Sequence, residues 1–210
     1  MSDQRDIDTA RRSTKSVYER KASYWHAQRS RQLYERPWLD RFSSELPPGS
    51  RILDLACGTG RPLADYFLER GFVLTGVDYG EPMIEIARAG FPDAEWVVAD
   101  IRQLPELGYF DGICSWDGFF HLSVSEQRAL LPQLAGMLRE GGSIILTVGT
   151  GEGEVTGTID DETVYHASLS PEEYERTLTE LGFSSVTYVK EDPSCLGRSV
   201  LLARHVGGRK

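Results

Sequence analysis

Five residues in the first half of the chain have the types and spacing to hold a nucleoside: Asp54, Gly58, Gly60, Asp78 and Asp100. The run Asp54-Leu-Ala-Cys-Gly58-Thr-Gly60 follows the short apolar segment Arg51–Ala56 and opens a helical pattern at Arg61. Glycines at such a junction let the backbone turn sharply and approach a ligand closely. A purely structural turn reads the same way, so the carboxylates that follow carry the distinction. Asp78 ends the next apolar segment, twenty positions after Gly58. A carboxylate there can accept both hydroxyls of a ribose. Asp100 closes Val97-Val98-Ala99-Asp100 and can accept from the exocyclic amine of an adenine, with Met83, Ile101 and Leu104 offering apolar contacts. Taken alone, Asp100 reads more readily as a loop or helix cap, and the adenine reading gains from Asp54, Asp78 and the spacing. A dinucleotide fingerprint needs a third glycine where this chain has Leu63. The loop therefore suits a nucleoside ligand without a pyrophosphate.

Strands and helices must alternate to place these residues. Arg51–Ala56, Phe72–Val77, Glu95–Val98, Phe110–Trp116 and Ser143–Val148 read as buried strands. Helices are expected over Arg61–Arg70, over Glu81–Ala89, and from the capping box Ser123-Val-Ser-Glu126 to about Arg139, kinked at Pro132 and ended by Gly141-Gly142. Strands joined by helical crossovers lie parallel. Beyond a helix from Ser170 to Gly182, Phe183–Val189 and Ser199–Arg204 have no helix between them, which implies an antiparallel pair at the sheet edge. The fold class is thus α/β: a doubly wound, mostly parallel seven-stranded sheet with helices on both faces. Residues 1–12 are expected to be a disordered tail for want of apolar side chains. Residues 13–48 are expected to form a helical cap divided at Pro37, and 49–210 the α/β domain, with a glycine-hinged hairpin lid inserted at about 150–169.

With 210 residues, 40% hydrophobic and 26% charged, the chain can bury one core without cross-links. Its three cysteines, Cys57, Cys114 and Cys195, are too scattered for a metal site or a disulfide framework. No apolar run suggests a membrane span or a secretory signal, so a cytoplasmic protein is expected, as monomer or homodimer. The net charge of -9 argues against a nucleic-acid partner. That charge is uneven, because residues 1–41 hold ten Lys or Arg against six Asp or Glu. The basic end reads as a solvated helical face, or as a holder of an anionic group of cofactor or substrate.

The successive runs ILDLACGTG, GVDYGEPMIEIAR, VVADIRQLP, FDGICSW and LREGGSIIL resemble the motifs of class I S-adenosylmethionine (SAM)-dependent methyltransferases, closely over residues 50–149. The resemblance implies SAM as cofactor and S-adenosylhomocysteine as product. It also implies that Asp54, Ala56, Gly58 and Gly60 line the methionine part of SAM. Asp78 then binds the ribose, with Tyr79 and Met83 beside the adenine and Asp100 and Ile101 at its edge. Trp116 faces the sulfonium, and Tyr18 and Trp25 of an N-terminal helix close the pocket.

Methyl transfer from a sulfonium is an in-line displacement that needs alignment above all, and a general base only where the acceptor must lose a proton early. His121 is the first base candidate, against the alternative of a packed or capping histidine. His166 and Asp117 follow, with Tyr165 in support. The segment after the fourth strand has no Asn/Asp-Pro-Pro-aromatic run of nucleic-acid amino methyltransferases, and no cysteine is placed as a nucleophile. A small organic molecule is the expected acceptor. Other SAM chemistry on the same fold, a nicotinamide oxidoreductase and a non-catalytic SAM-binding protein are the alternatives.

Overall fold

A computed structural model describes residues 4–205. Seven strands form one sheet in the order β3-β2-β1-β4-β5-β9-β8: β1 (Arg51–Leu55), β2 (Val73–Asp78), β3 (Glu95–Val98), β4 (Phe110–Ser115), β5 (Leu138–Val148), β8 (Phe183–Asp192) and β9 (Arg198–His205). The first five are parallel, and β9 lies antiparallel between β5 and β8. The expected edge pair is therefore present, with β9 inserted rather than outermost. β6 (Gly153–Ile159) and β7 (Glu162–Ser168) pair as a separate hairpin, in the segments expected to do so.

Each sheet face has its own core, and neighbouring residues alternate between them. Leu53, Leu55, Ile113, Ile144 and Leu146 pack on one face against α6 (Val124–Met137) and α7 (Pro171–Glu180). Ile52, Cys114 and Ile145 point to the other, where they meet α3 (Arg36–Ser43), α4 (Leu63–Glu69) and α5 (Glu81–Gly90). Ser123 and Glu126 make the reciprocal capping box at the start of α6. Its end differs from expectation: the helix stops at Met137, and Gly141-Gly142 fall within β5.

The disordered tail over residues 1–12 is corrected from Gln4 onward; residues 1–3 lie outside the described residues. α1 runs Gln4–Arg20, with Ile7, Ala10, Thr14 and Val17 buried at three- and four-residue spacing. Ile7 and Ala10 pack on Tyr165 and Ala167, and Val17 on Ile159 and Val164, so the hairpin is what α1 covers. The Thr14 hydroxyl accepts from the Tyr165 backbone N–H at 2.8 Å. Pro37 sits in the first turn of α3, where it was expected to open a second helix, and a further break near Lys21 separates α1 from α2 (Ala22–Gln28). No helix of the described residues is long and apolar enough to cross a membrane.

Candidate active site

The turn after β1 holds left-handed backbone at Ala56, Gly58 and Gly60. At Gly60 a side chain is also excluded by space, since a Cβ would stand 2.7 Å from the Trp96 ring. Asp78, 7% exposed, fastens this turn to the one after β2. Its two carboxylate oxygens accept from the N–H of Gly58 at 2.9 Å and of Gly80 at 2.8 Å. Burial raises its pKa to about 6 against the pull of those amides. Burial, reinforced by the charge of Asp78 and opposed by Arg29, raises Asp54 to about 8.

The residues that the resemblance assigned to the cofactor, Tyr18 and Trp25 included, line one cleft at the C-terminal ends of β1, β2, β3 and β4, whereas Leu104, also offered to the adenine, packs against the core beneath α6 instead. Asp100 keeps both of its sequence readings. It caps the turn Ile101–Gln103 by accepting from Arg102 N–H at 3.0 Å, and it borders the cleft. The Arg102 guanidinium, donating through Nε at 2.8 Å, holds its pKa below the usual range.

His121 is half-buried, with both ring nitrogens engaged. Nδ1 lies 2.7 Å from the Tyr165 carbonyl, which can only accept, so the ring proton sits there. Nε2 then accepts from the Tyr18 hydroxyl at 2.7 Å. Desolvation, with the neighbouring His166, lowers its pKa to about 4, so the imidazole is neutral. His121, which borders the cleft, thus holds the Tyr18 hydroxyl through the ring nitrogen that a base would use, and Tyr165 contributes its carbonyl rather than its phenol.

A second cavity of about 550 Å³ lies between the hairpin and the sheet and shares Tyr18, Trp25 and Asp117 with the cleft. His166 borders it, packed edge-on against Phe120 with centroids 4.7 Å apart, and burial lowers its pKa. Gly157 opposite must lack a side chain, because a Cβ would stand 2.4 Å from the His166 ring. Asp117 has left-handed backbone at φ 57° and its N–H donates to Thr147 Oγ1 at 2.8 Å. Arg198 grips its carboxylate through Nε at 2.8 Å and Nη2 at 3.1 Å. Arg198 and Glu191, which also line this cavity, went unnoticed in the sequence. Both belong to the late antiparallel strands and their connection, outside any glycine-rich turn, so no local pattern marks them.

Residues 52–142 match the family described as a methyltransferase domain. A probable tRNA methyltransferase 9B of Mus musculus is 33% identical over 146 residues, covering 68% of this chain and 30% of the relative. An O-methyltransferase of Pyrenophora dematioidea is 28% identical over 148 residues, 65% of this chain and 55% of the relative. The chain thus spans between about a third and about half the length of these relatives. Among solved structures, SAM-bound CalS10, an amino pentose methyltransferase from Micromonospora echinaspora, superposes with a TM-score of 0.69 at 19% identity, covering 90% of this chain and 97% of that one. The DhpI complex with S-adenosylhomocysteine gives 0.71 at 22% identity, over 94% and 97%. Residues 52–142 thus match the methyltransferase-domain family, and the described residues share the fold of these solved methyltransferase structures.

Proposed function

We propose that the protein transfers the methyl group of SAM by in-line displacement to a small organic molecule held between the β6–β7 hairpin and the sheet. The observation that carries this reading is the junction of the two cavities at Tyr18, Trp25 and Asp117. A donor in the cleft and an acceptor in the second cavity meet there. The cleft residues fit the cofactor. Asp78, buried and still holding unused lone pairs, suits the ribose hydroxyls, and Asp100 suits the adenine amine. Met83 and Ile101, both buried, suit the ring faces. SAM supplies an electrophilic methyl on a sulfonium that leaves neutral, and the chain's own task is alignment.

Tyr18 donates its proton to His121, which leaves its own oxygen lone pairs free to receive an N–H or O–H of the acceptor. His166, which borders the acceptor cavity, is the group placed to take a proton from it. Asp117 is held by Arg198 at the junction, where a fixed carboxylate orients a polar acceptor. Glu152 and Glu191 also line the acceptor cavity, which disfavours a phosphate backbone there and supports a small molecule over tRNA. The test is incubation with methyl-labelled SAM and separate panels of small amines, alcohols and thiols, with bulk tRNA in parallel. Label in a small molecule, with the product heavier by one methyl, is expected. Label confined to tRNA would contradict the acceptor class, and a product carrying another part of SAM would contradict methyl transfer.

A further inference from the structure

We propose that Arg29 binds the α-carboxylate at the amino-acid end of SAM, and that buried Glu35 is the positioning residue that holds its guanidinium there. This rests on the SAM reading of the cleft. Bound SAM brings one anionic group, its carboxylate, into a cleft that already contains Asp54 and Asp78, both almost fully buried. That carboxylate needs a cation at the end of the cleft away from the adenine.

Arg29 is the most buried cation of the cleft, its side chain 14% exposed against 39–50% for Arg11, Lys15, Arg61 and Arg102. Arg102 pairs with Asp100, and Lys15 lies over the Tyr79 ring, both at the adenine side. Arg11 donates to Ser123 Oγ, and Arg61 pairs with Asp65. Arg29 stands by the glycine turn. Its backbone N–H donates to the Trp25 carbonyl at 2.8 Å, and the Trp25 indole nitrogen lies 3.6 Å from where a Gly58 Cβ would be. Its charge acts directly on Asp54.

Glu35 accounts for the orientation. Arg29 Nη2 donates to Glu35 Oε1, with side chains only 14% and 3% exposed. The other oxygen, Oε2, is buried and without a hydrogen-bond partner among the described residues. A buried pair with an unfilled acceptor is a poor device for stability, since desolvation offsets the attraction. It is a good device for fixing a guanidinium, whose fork of donors matches a carboxylate two at a time. Arg29 itself lines the cleft, and its guanidinium has donors beyond the one that Glu35 engages.

The experiment compares S-adenosylhomocysteine with 5′-methylthioadenosine, which keeps the adenosine and the sulfur but lacks the amino-acid end, by calorimetry on the full chain. Arg29→Gln is expected to weaken S-adenosylhomocysteine by about 10- to 150-fold, the loss of a charged hydrogen-bonded contact, while leaving methylthioadenosine affinity unchanged. Arg29→Lys is expected to recover part of the loss, and Glu35→Gln to show the same selective weakening to a smaller degree. If Glu35→Gln does not fold, Glu35→Asp, which keeps the charge with a shorter reach, is expected to weaken S-adenosylhomocysteine selectively. Unchanged S-adenosylhomocysteine affinity in Arg29→Gln, or equal loss of both ligands, overturns the assignment. Wild-type affinity in a folded Glu35 variant overturns the positioning role. A wild-type protein that binds neither ligand overturns the SAM reading itself, and this inference with it.

Discussion

Asp54 and Asp78 are carboxyls held in apolar surroundings, with pKa values raised to about 8 and about 6. The folded, ligand-free protein therefore keeps protons that the unfolded chain has already released above its ordinary carboxyl pKa of 3.8. By linkage, its stability falls as the pH rises from about 4 to about 8. Asp54→Asn is expected to flatten that slope and to raise stability at pH 8 by about 1–3 kcal/mol, read by urea denaturation at pH 5 and pH 8. Parallel pH profiles for the two proteins would contradict it. His121 acts in the opposite sense. Its pKa, lowered from 6.5 to about 4, contributes stability above pH 6.5 that is lost as the pH falls toward 4. At this scale the sequence was most legible where chemistry is local. The glycine turn and Asp78 were visible because strand, turn and carboxylate follow one another along the chain. The Asp117–Arg198 grip was not, because it joins residues 81 positions apart that share no motif.

Close packing between elements gives sharper tests than surface pairs do. A Cβ at Gly76 in β2 would stand 2.3 Å from the Trp96 ring of β3, which is itself buried between α5 and the sheet. Gly76→Ala is expected to destabilise the protein by about 1–3 kcal/mol and to shift Trp96 fluorescence. Unaltered denaturation and emission would show that this interface has room. Where α1 meets the hairpin, Thr14→Val keeps the shape but leaves the Tyr165 N–H without its acceptor. It is expected to cost about 1–3 kcal/mol and to speed amide exchange along β7. Exchange unchanged at Tyr165 would contradict the packing of α1 on the hairpin. The strand and helix order was readable from alternating apolar runs, and the late antiparallel pair from the lack of a helix between its strands. α1 was not readable over its first residues. Its buried stripe is thin, built partly from Ala10 and Thr14, and its partner is a hairpin more than a hundred residues later.

Across the whole molecule, acidity and the shared junction of two cavities set what the protein can recruit. With a net charge of -9, binding to tRNA at physiological salt is expected to be undetectable in a gel-shift titration. A discrete, salt-sensitive tRNA complex would favour the acceptor class named for some of the relatives. The central claim is more direct: the cleft beside the glycine turn binds the adenosine of SAM through Asp78. Calorimetric titration of S-adenosylhomocysteine and, separately, of NADH into the wild type and Asp78→Ala tests it. The account predicts binding of S-adenosylhomocysteine to the wild type, weakened about 10- to 150-fold by Asp78→Ala, with no heat from NADH. Absence of S-adenosylhomocysteine binding, or binding of NADH in its place, would contradict it.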